Sequence, residues 1–139
     1  MIDPGTEAGA RALRRLDDEL IAWLTTVTPE GQPQTLPIWF IREADGSILF
    51  YSKKVAVRNA NLEQNHRVAF HLGDDGVGGD IVSLEGACRR DPAMPAPKDH
   101  AAYLDKYAEL LAGYGWSSEY FSEAYPHPYR IVVTVARIA

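Results

Sequence analysis

Between Leu20 and Ser52 the chain alternates β-type runs with tight turns, and no other stretch limits the fold as much. Leu20–Val27 is apolar on both alternations, as expected of a strand buried on both faces. Thr28-Pro29-Glu30-Gly31-Gln32-Pro33 follows as a turn, with Gly31 supplying permissive backbone. The next predicted strand, Gln34–Arg42, contains Pro37, which cannot donate to a ladder. Pro37 therefore marks a sheet edge, a bulge, or a place where the neighbour is not a strand. Ala44-Asp45-Gly46 then turns the chain into a third strand, Ser47–Ser52.

The remaining sequence supplies the partners of this meander. Glu7–Leu16 reads as a helix with Ala8, Ala12, Leu13 and Leu16 on one stripe. Its arginines (Arg11, Arg14, Arg15) and the following Asp17-Asp18-Glu19 read as solvated charges. A short helix from Lys53 to Gln64 leads into a strand at Arg67–Leu72, a glycine-rich loop at Gly73–Asp80, and a strand at Ile81–Arg90. Within that strand Gly86 predicts a bulge or a close backbone approach. Three prolines in Asp91–Pro97 precede a helix from Lys98 to Ala112 with Gly113 as its stop. Trp116–Tyr125 is a shorter helical piece, and Tyr129–Ile138 is the last strand. The expected class is α+β, mainly β with flanking helices. Six short antiparallel strands favour a closed barrel over a sandwich, because closure removes edges. At 139 residues the chain predicts one domain, residues 1–139.

Composition removes several functions. A net charge of -5 and a pI near 5.3 argue against nucleic acid as a partner. The single cysteine, Cys88, allows neither an internal disulfide nor a multi-cysteine metal site, and within a strand it reads as a small buried hydrophobe. Met1–Gly9 lacks the pattern of a signal peptide, and no apolar run is long enough for a membrane span. The expectation is a cytoplasmic protein without integral membrane contact. His66, His71, His100 and His127 show no ligand spacing, and Asp74, Asp75 and Asp80 lack that of a calcium loop, so no metal is expected. No nucleophile elbow or glycine-rich phosphate loop is present, and no catalytic residue can be named.

What remains is Ser52-Lys53-Lys54-Val55-Ala56-Val57-Arg58-Asn59. Ser52 is a candidate N-cap, which would make Lys53 and Lys54 the first helical residues, where the helix dipole opposes cations. Lys54 and Arg58 would then be a repelling i, i+4 pair. Either the lysines extend into water, or a bound anion at the free N–H groups reverses each penalty. Nearby, Trp39 and Phe40 follow Pro37 on opposite faces: one fills the core and the other walls a flat cavity. Tyr51 fits either role.

In order and spacing, the Pro-Glu-Gly-Gln-Pro turn, Leu36-Pro37-Ile38-Trp39-Phe40, Phe50-Tyr51-Ser52, the basic Val57-Arg58-Asn59 segment and Asn65-His66-Arg67-Val68-Ala69-Phe70 resemble the pyridoxamine-phosphate-oxidase-like flavoprotein superfamily. Within it the chain looks most like the small actinobacterial branch expected to use the deazaflavin coenzyme F420. The resemblance covers Leu20–Arg90, and more loosely the Tyr103-Leu104-x-x-Tyr107 helix. It implies a six-stranded split-barrel homodimer with two cofactor sites at the subunit interface. It also implies phosphate binding by Ser52, Lys53, Lys54, Arg58 and Asn59, and a ring lying along Pro37, Ile38, Trp39 and Phe40 beside Tyr51. Gly78 and Gly79 would come from the other protomer. Relatives often carry a longer basic run before Arg-Asn, whereas Val55-Ala56-Val57 intervenes here. Arg58 is the first choice for phosphate, since its fork suits bidentate binding. The implied activity is hydride transfer from reduced F420 to a conjugated, electron-poor small molecule, with a proton from solvent or Tyr51. FMN is the alternative cofactor, and a non-catalytic flavin-, haem- or tetrapyrrole-binding protein the alternative role.

Overall fold

A computed structural model describes all residues, 1–139. In chain order the elements are α1 (Glu7–Asp18), β1 (Ala22–Val27), β2 (Pro33–Ile38), β3 (Ile41–Arg42), β4 (Ile48–Ser52), α2 (Val57–Gln64), β5 (Arg67–His71), β6 (Val82–Arg90), a 3-10 turn (Pro97–Asp99), α3 (Ala101–Tyr114), α4 (Ser118–Ala124) and β7 (His127–Ile138). The strands form one sheet in the order β2-β1-β5-β6-β7-β4-β3, and every neighbouring pair is antiparallel.

The expected second strand is divided. Its first part, β2, lies at one edge of the sheet, and its second part, β3, lies at the opposite edge. Only Trp39 and Phe40 separate them. Three residue steps reach at most about 11 Å, so the sheet must curl until its two edges nearly meet. The fold is therefore a split barrel, with seven strands rather than six because one predicted strand serves both edges. Pro37, opposite Trp23 in the β1–β2 pair, sits on an edge strand, where its missing N–H breaks no central ladder.

Two hydrophobic clusters lie on the two faces of β4, whose five residues are all buried. Ile48 and Phe50 point into the barrel core with Leu24, Phe40, Phe70, Leu84 and Ile131, closed off by Ala12 and Leu16 of α1. Leu49 and Tyr51 point to the other side, into a cluster with Tyr103, Tyr107, Leu111 and Phe121 of the C-terminal helices. β1 begins at Ala22, not Leu20, and only Ala22, Leu24 and Thr26 are buried. No helix covers its outer face, so the doubly buried strand expected there is half-buried.

Other details correct or confirm the sequence reading. The β6–β7 register shifts at Glu85/Gly86, and a Cβ on Gly86 would stand 2.1 Å from the Val132 carbonyl oxygen, so this glycine is both bulge and close approach. α3 runs past Gly113 and stops at Gly115, whose φ of 70° supplies the left-handed cap. α1 extends to Asp18, and its charges are not simply solvated. Arg11 Nε donates to Asp80 Oδ1 at 3.0 Å, Arg15 reaches Glu19 and the Asp80 carbonyl, and Asp17 pairs with Arg42. They fasten α1 to the 73–80 loop and to β3.

Candidate functional site

A cleft of about 550 Å³ opens where the β2–β3 crossing, the segment after β4 and the C-terminal helices meet. This is within the ordinary size range of small-molecule sites. Pro37, Ile38 and Trp39 form one wall, Lys53 and Val55–Arg58 a second, and Tyr114, Phe121 and Tyr125 a third. The lining is apolar except at two cations, Lys53 and Arg58, and it includes no carboxylate.

Arg58 is the unusual member. Four arginines are partly buried: Arg15, Arg42, Arg58 and Arg130. Arg15, Arg42 and Arg130 each pair with carboxylates, whereas Arg58 has no salt bridge. Its only side-chain hydrogen bond is a long one, from Nη2 to the Pro37 carbonyl at 3.4 Å. Burial pulls its guanidinium below the ordinary arginine pKa, an effect the surrounding tyrosines and Cys88 only partly oppose. A desolvated cation without a counter-ion is unfavourable by itself and becomes favourable when an anion arrives.

The local backbone supports the same direction of charge. α2 begins at Val57, not Lys53. Ala56 occupies the N-cap with no side-chain bond, and no acidic residue stands in the first turn. Ser52 is thus not the cap; it is the last residue of β4, fully buried, with an Oγ lacking a hydrogen-bond partner. Lys53 and Lys54 precede the helix, so Lys54 and Arg58 are not a helical i, i+4 pair. β-branched Val55 stands outside the helix, in keeping with its low helix propensity. Asn59 pins this segment: its Nδ2 donates to the Lys53 carbonyl at 2.8 Å, and its Oδ1 accepts from Tyr129 Oη at 3.4 Å. Lys53 Nζ lies 5.7 Å from the centre of the Tyr125 ring, a cation–π contact across the cleft.

Of the residues singled out by sequence, Pro37, Ile38, Trp39, Lys53 and Arg58 come together in the cleft. Phe40 does not; it is fully buried, edge-on to Phe70 in the barrel core. Their opposite faces predict one wall and one filling, and the structure makes Trp39 the wall and Phe40 the filling. Lys54 is exposed and Asn59 acts through the Lys53 carbonyl. Tyr51 faces the second cluster, donates to the Pro95 carbonyl at 2.6 Å, and burial pushes its pKa up to about 12. It lines no part of the cleft, and its phenol keeps its proton near neutral pH. Gly79 and Gly78 donate their N–H groups to Asp75 and Asp74 within their own loop, which α1 holds, and they line no part of this chain's cleft. Cys88 is buried, and desolvation pushes its thiol up to about 12, so it is an inert hydrophobe.

Sequence reasoning missed the third wall. Tyr114, Phe121 and Tyr125 lie far along the chain from the basic segment, and their aromatic spacing alone cannot distinguish a wall from a core. Val55 and Val57 were legible only as an interruption. Val55 is 91% exposed, an apolar side chain at the open rim of the cleft.

A curled antiparallel sheet, closed through one crossing segment and carrying a cleft at that crossing, defines a split-barrel protein. The chain belongs to the pyridoxamine 5'-phosphate oxidase family, whose profile matches residues 9–137. Among solved structures it is similar to the conserved hypothetical protein Rv2991 from Mycobacterium tuberculosis, at 21% identity over 95% of this chain and 82% of that one, with a TM-score of 0.72. It is similar to HutZ, the heme storage protein from Vibrio cholerae, at 13% identity over 96% and 95% of the two chains, TM-score 0.67. A protein described as F420 reductase shares 21% identity over 89% and 94%, TM-score 0.61. At these identities the likeness is one of fold. No curated protein matches the chain.

Proposed function

We propose that the cleft binds a phosphate-bearing flavin-type coenzyme, with F420 as the first candidate and FMN as the second, and that the protein is an oxidoreductase acting on a conjugated, electron-poor small molecule. The observation that carries this reading is Arg58: a partly buried guanidinium without a carboxylate, set in an otherwise apolar cleft. Arg58 and Lys53 would hold the phosphate, beside the uncapped start of α2. Pro37, Ile38 and Trp39 would lie against the ring system. When bound, the coenzyme supplies hydride transfer. The chain's own contribution is to orient the ring, neutralise the anion and keep water away with Tyr114, Phe121 and Tyr125. F420 takes precedence over FMN on the sequence resemblance, with which the F420 reductase fold is consistent.

Side-by-side titration with F420 and FMN tests the proposal. We expect wild type to bind at least one coenzyme, and Arg58→Ala to weaken that binding about 10- to 100-fold, the range of a lost charge-assisted hydrogen bond. Binding of neither coenzyme, or undiminished binding in the variant, would refute it. Yellow protein on purification would favour FMN over F420. HutZ's described role in heme storage raises a non-catalytic alternative. No histidine, cysteine or methionine lines this cleft, so an axial ligand from the lining would have to be Tyr114, Tyr125 or the Lys53 amine. A tyrosinate-type Soret spectrum on haem addition, without coenzyme turnover, would favour that role.

The resemblance to homodimeric relatives extends the proposal: two copies pack with the clefts at their interface. Ile21, Leu36, Val55, Val57 and Tyr114 line the cleft and are all exposed in the single chain, which is consistent with a second copy covering them.

A further inference from the structure

Trp39 and Phe40 carry the chain from one sheet edge to the other, and neither belongs to a strand. Backbone that leaves a sheet inside a protein must find hydrogen-bond partners elsewhere. Here α3 supplies them from one face. Tyr103 Oη donates to the Trp39 carbonyl at 2.7 Å. Tyr107 Oη accepts from the Phe40 N–H at 2.6 Å, and its single proton is shared between the carbonyls of Phe40 and Leu20, each at 2.9 Å. Both tyrosines are fully buried. The third member of the face, Lys106, places its Nζ 3.8 Å from the centre of the Phe40 ring. Positions 103, 106 and 107 are related as i, i+3 and i+4, so one helix face meets the whole crossing.

The contact continues into the cleft. The Tyr107 ring lies parallel to the Trp39 indole, with centroids 4.7 Å apart and 2° between planes. The other neighbours of Trp39 are tilted: Phe121 by 48° and Trp116 by 36°. No ladder fixes the backbone of Trp39, and a single parallel ring fixes the plane of its side chain.

We infer that Tyr107, assisted by Tyr103, is a positioning residue for the cleft: it holds the Trp39 wall in the plane against which a flat aromatic ligand packs. The ligand half of this inference rests on the coenzyme reading above; the positioning half does not. Removing the Tyr107 hydroxyl leaves the buried Phe40 N–H without its acceptor. The crossing then shifts, and Trp39 shifts with it.

The test labels the full-length protein with 5-fluorotryptophan, assigns the Trp39 fluorine resonance with Trp39→Phe, and compares Tyr107→Phe, Tyr103→Phe and Leu84→Val. Leu84→Val is a barrel-core truncation that touches neither tyrosine and controls for general destabilisation. We expect Tyr107→Phe to move the Trp39 resonance and to weaken coenzyme binding at least fivefold. Tyr103→Phe should act in the same direction, and Leu84→Val should do neither. An unmoved resonance in both tyrosine variants, or equal effects in Leu84→Val, would overturn the inference. Should Tyr107→Phe fail to fold, Tyr103→Phe decides. If wild type binds no coenzyme, the functional reading fails separately, and the resonance decides the positioning role.

Discussion

Arg58 and Lys106 are both partly buried cations, and they illustrate opposite ways of tolerating a charge. Arg58 has neither a carboxylate nor a strong hydrogen bond, and on the proposed reading a bound anion answers its charge. Lys106 is satisfied within the chain. Its Nζ donates to the Leu16 carbonyl at the C-terminal end of α1, faces Phe40 and Tyr107, and lies near Asp17, Asp18 and Glu19. Burial nevertheless outweighs these contacts and pulls its pKa down to about 8. Between that value and the ordinary one of 10.5, the unfolded chain holds a proton that the folded chain has released. Stability contributed through this group therefore rises with pH across that window. Wild type should gain on a Lys106→Met variant by about 1 kcal/mol between pH 7 and 9.5, a figure discounted for partial solvent exposure. Paired denaturation curves at the two pH values measure it. A constant difference would show that Lys106 stays charged.

At the scale of elements, α2 is built weaker than its length requires. Ala56 has the extended backbone of an N-cap, with φ -132° and ψ 142°, but no side chain able to close the first turn. α1, α3 and α4 are capped by Thr6, His100 and Ser117, so the bare start of α2 is a local exception. Ala56→Ser should stabilise the protein by about 1 kcal/mol. Ala56→Asp should stabilise it similarly, yet weaken coenzyme binding severalfold, because its carboxylate would occupy the anion's place beside Arg58. Thermal denaturation and coenzyme titration on the two variants separate stability from site chemistry. Improved binding by Ala56→Asp would contradict an anion site. The sequence disclosed the cations but not this geometry. Ser52 looks like a cap because it precedes a helical run, and only tertiary pairing shows that β4 keeps it, opposite His127. The same limit hides the α3 clamp. Tyr103 and Tyr107 grip residues more than sixty positions earlier, at separations of 64 and 67, and no local pattern records such a contact.

For the molecule as a whole, alternation and turns were legible because they are local. Closure was not, since it depends on β2 and β3 finding opposite edges of one sheet. The legible part gave an edge as one of three places for Pro37 and a wall as the role of one of Trp39 and Phe40; the closed sheet decides both. The exposed apolar surface around the cleft leads to a prediction about assembly. A chain of 15.4 kDa should sediment with twice that mass. Replacing Leu36 and Val55 together with lysine and glutamate should yield a folded monomer with coenzyme binding reduced at least tenfold. A monomeric wild type that still binds coenzyme fully would exclude an interfacial site. The short link through Trp39 and Phe40 has a further consequence. In an open sheet the first and last strands fray independently, each with its own local opening free energy. Here β2 cannot peel far from β1 without drawing on β3, and the reverse also holds. The two margins become one cooperative unit, so amide protection at Leu36 and Ile41 should be lost in a single opening event, with Trp39 at its hinge.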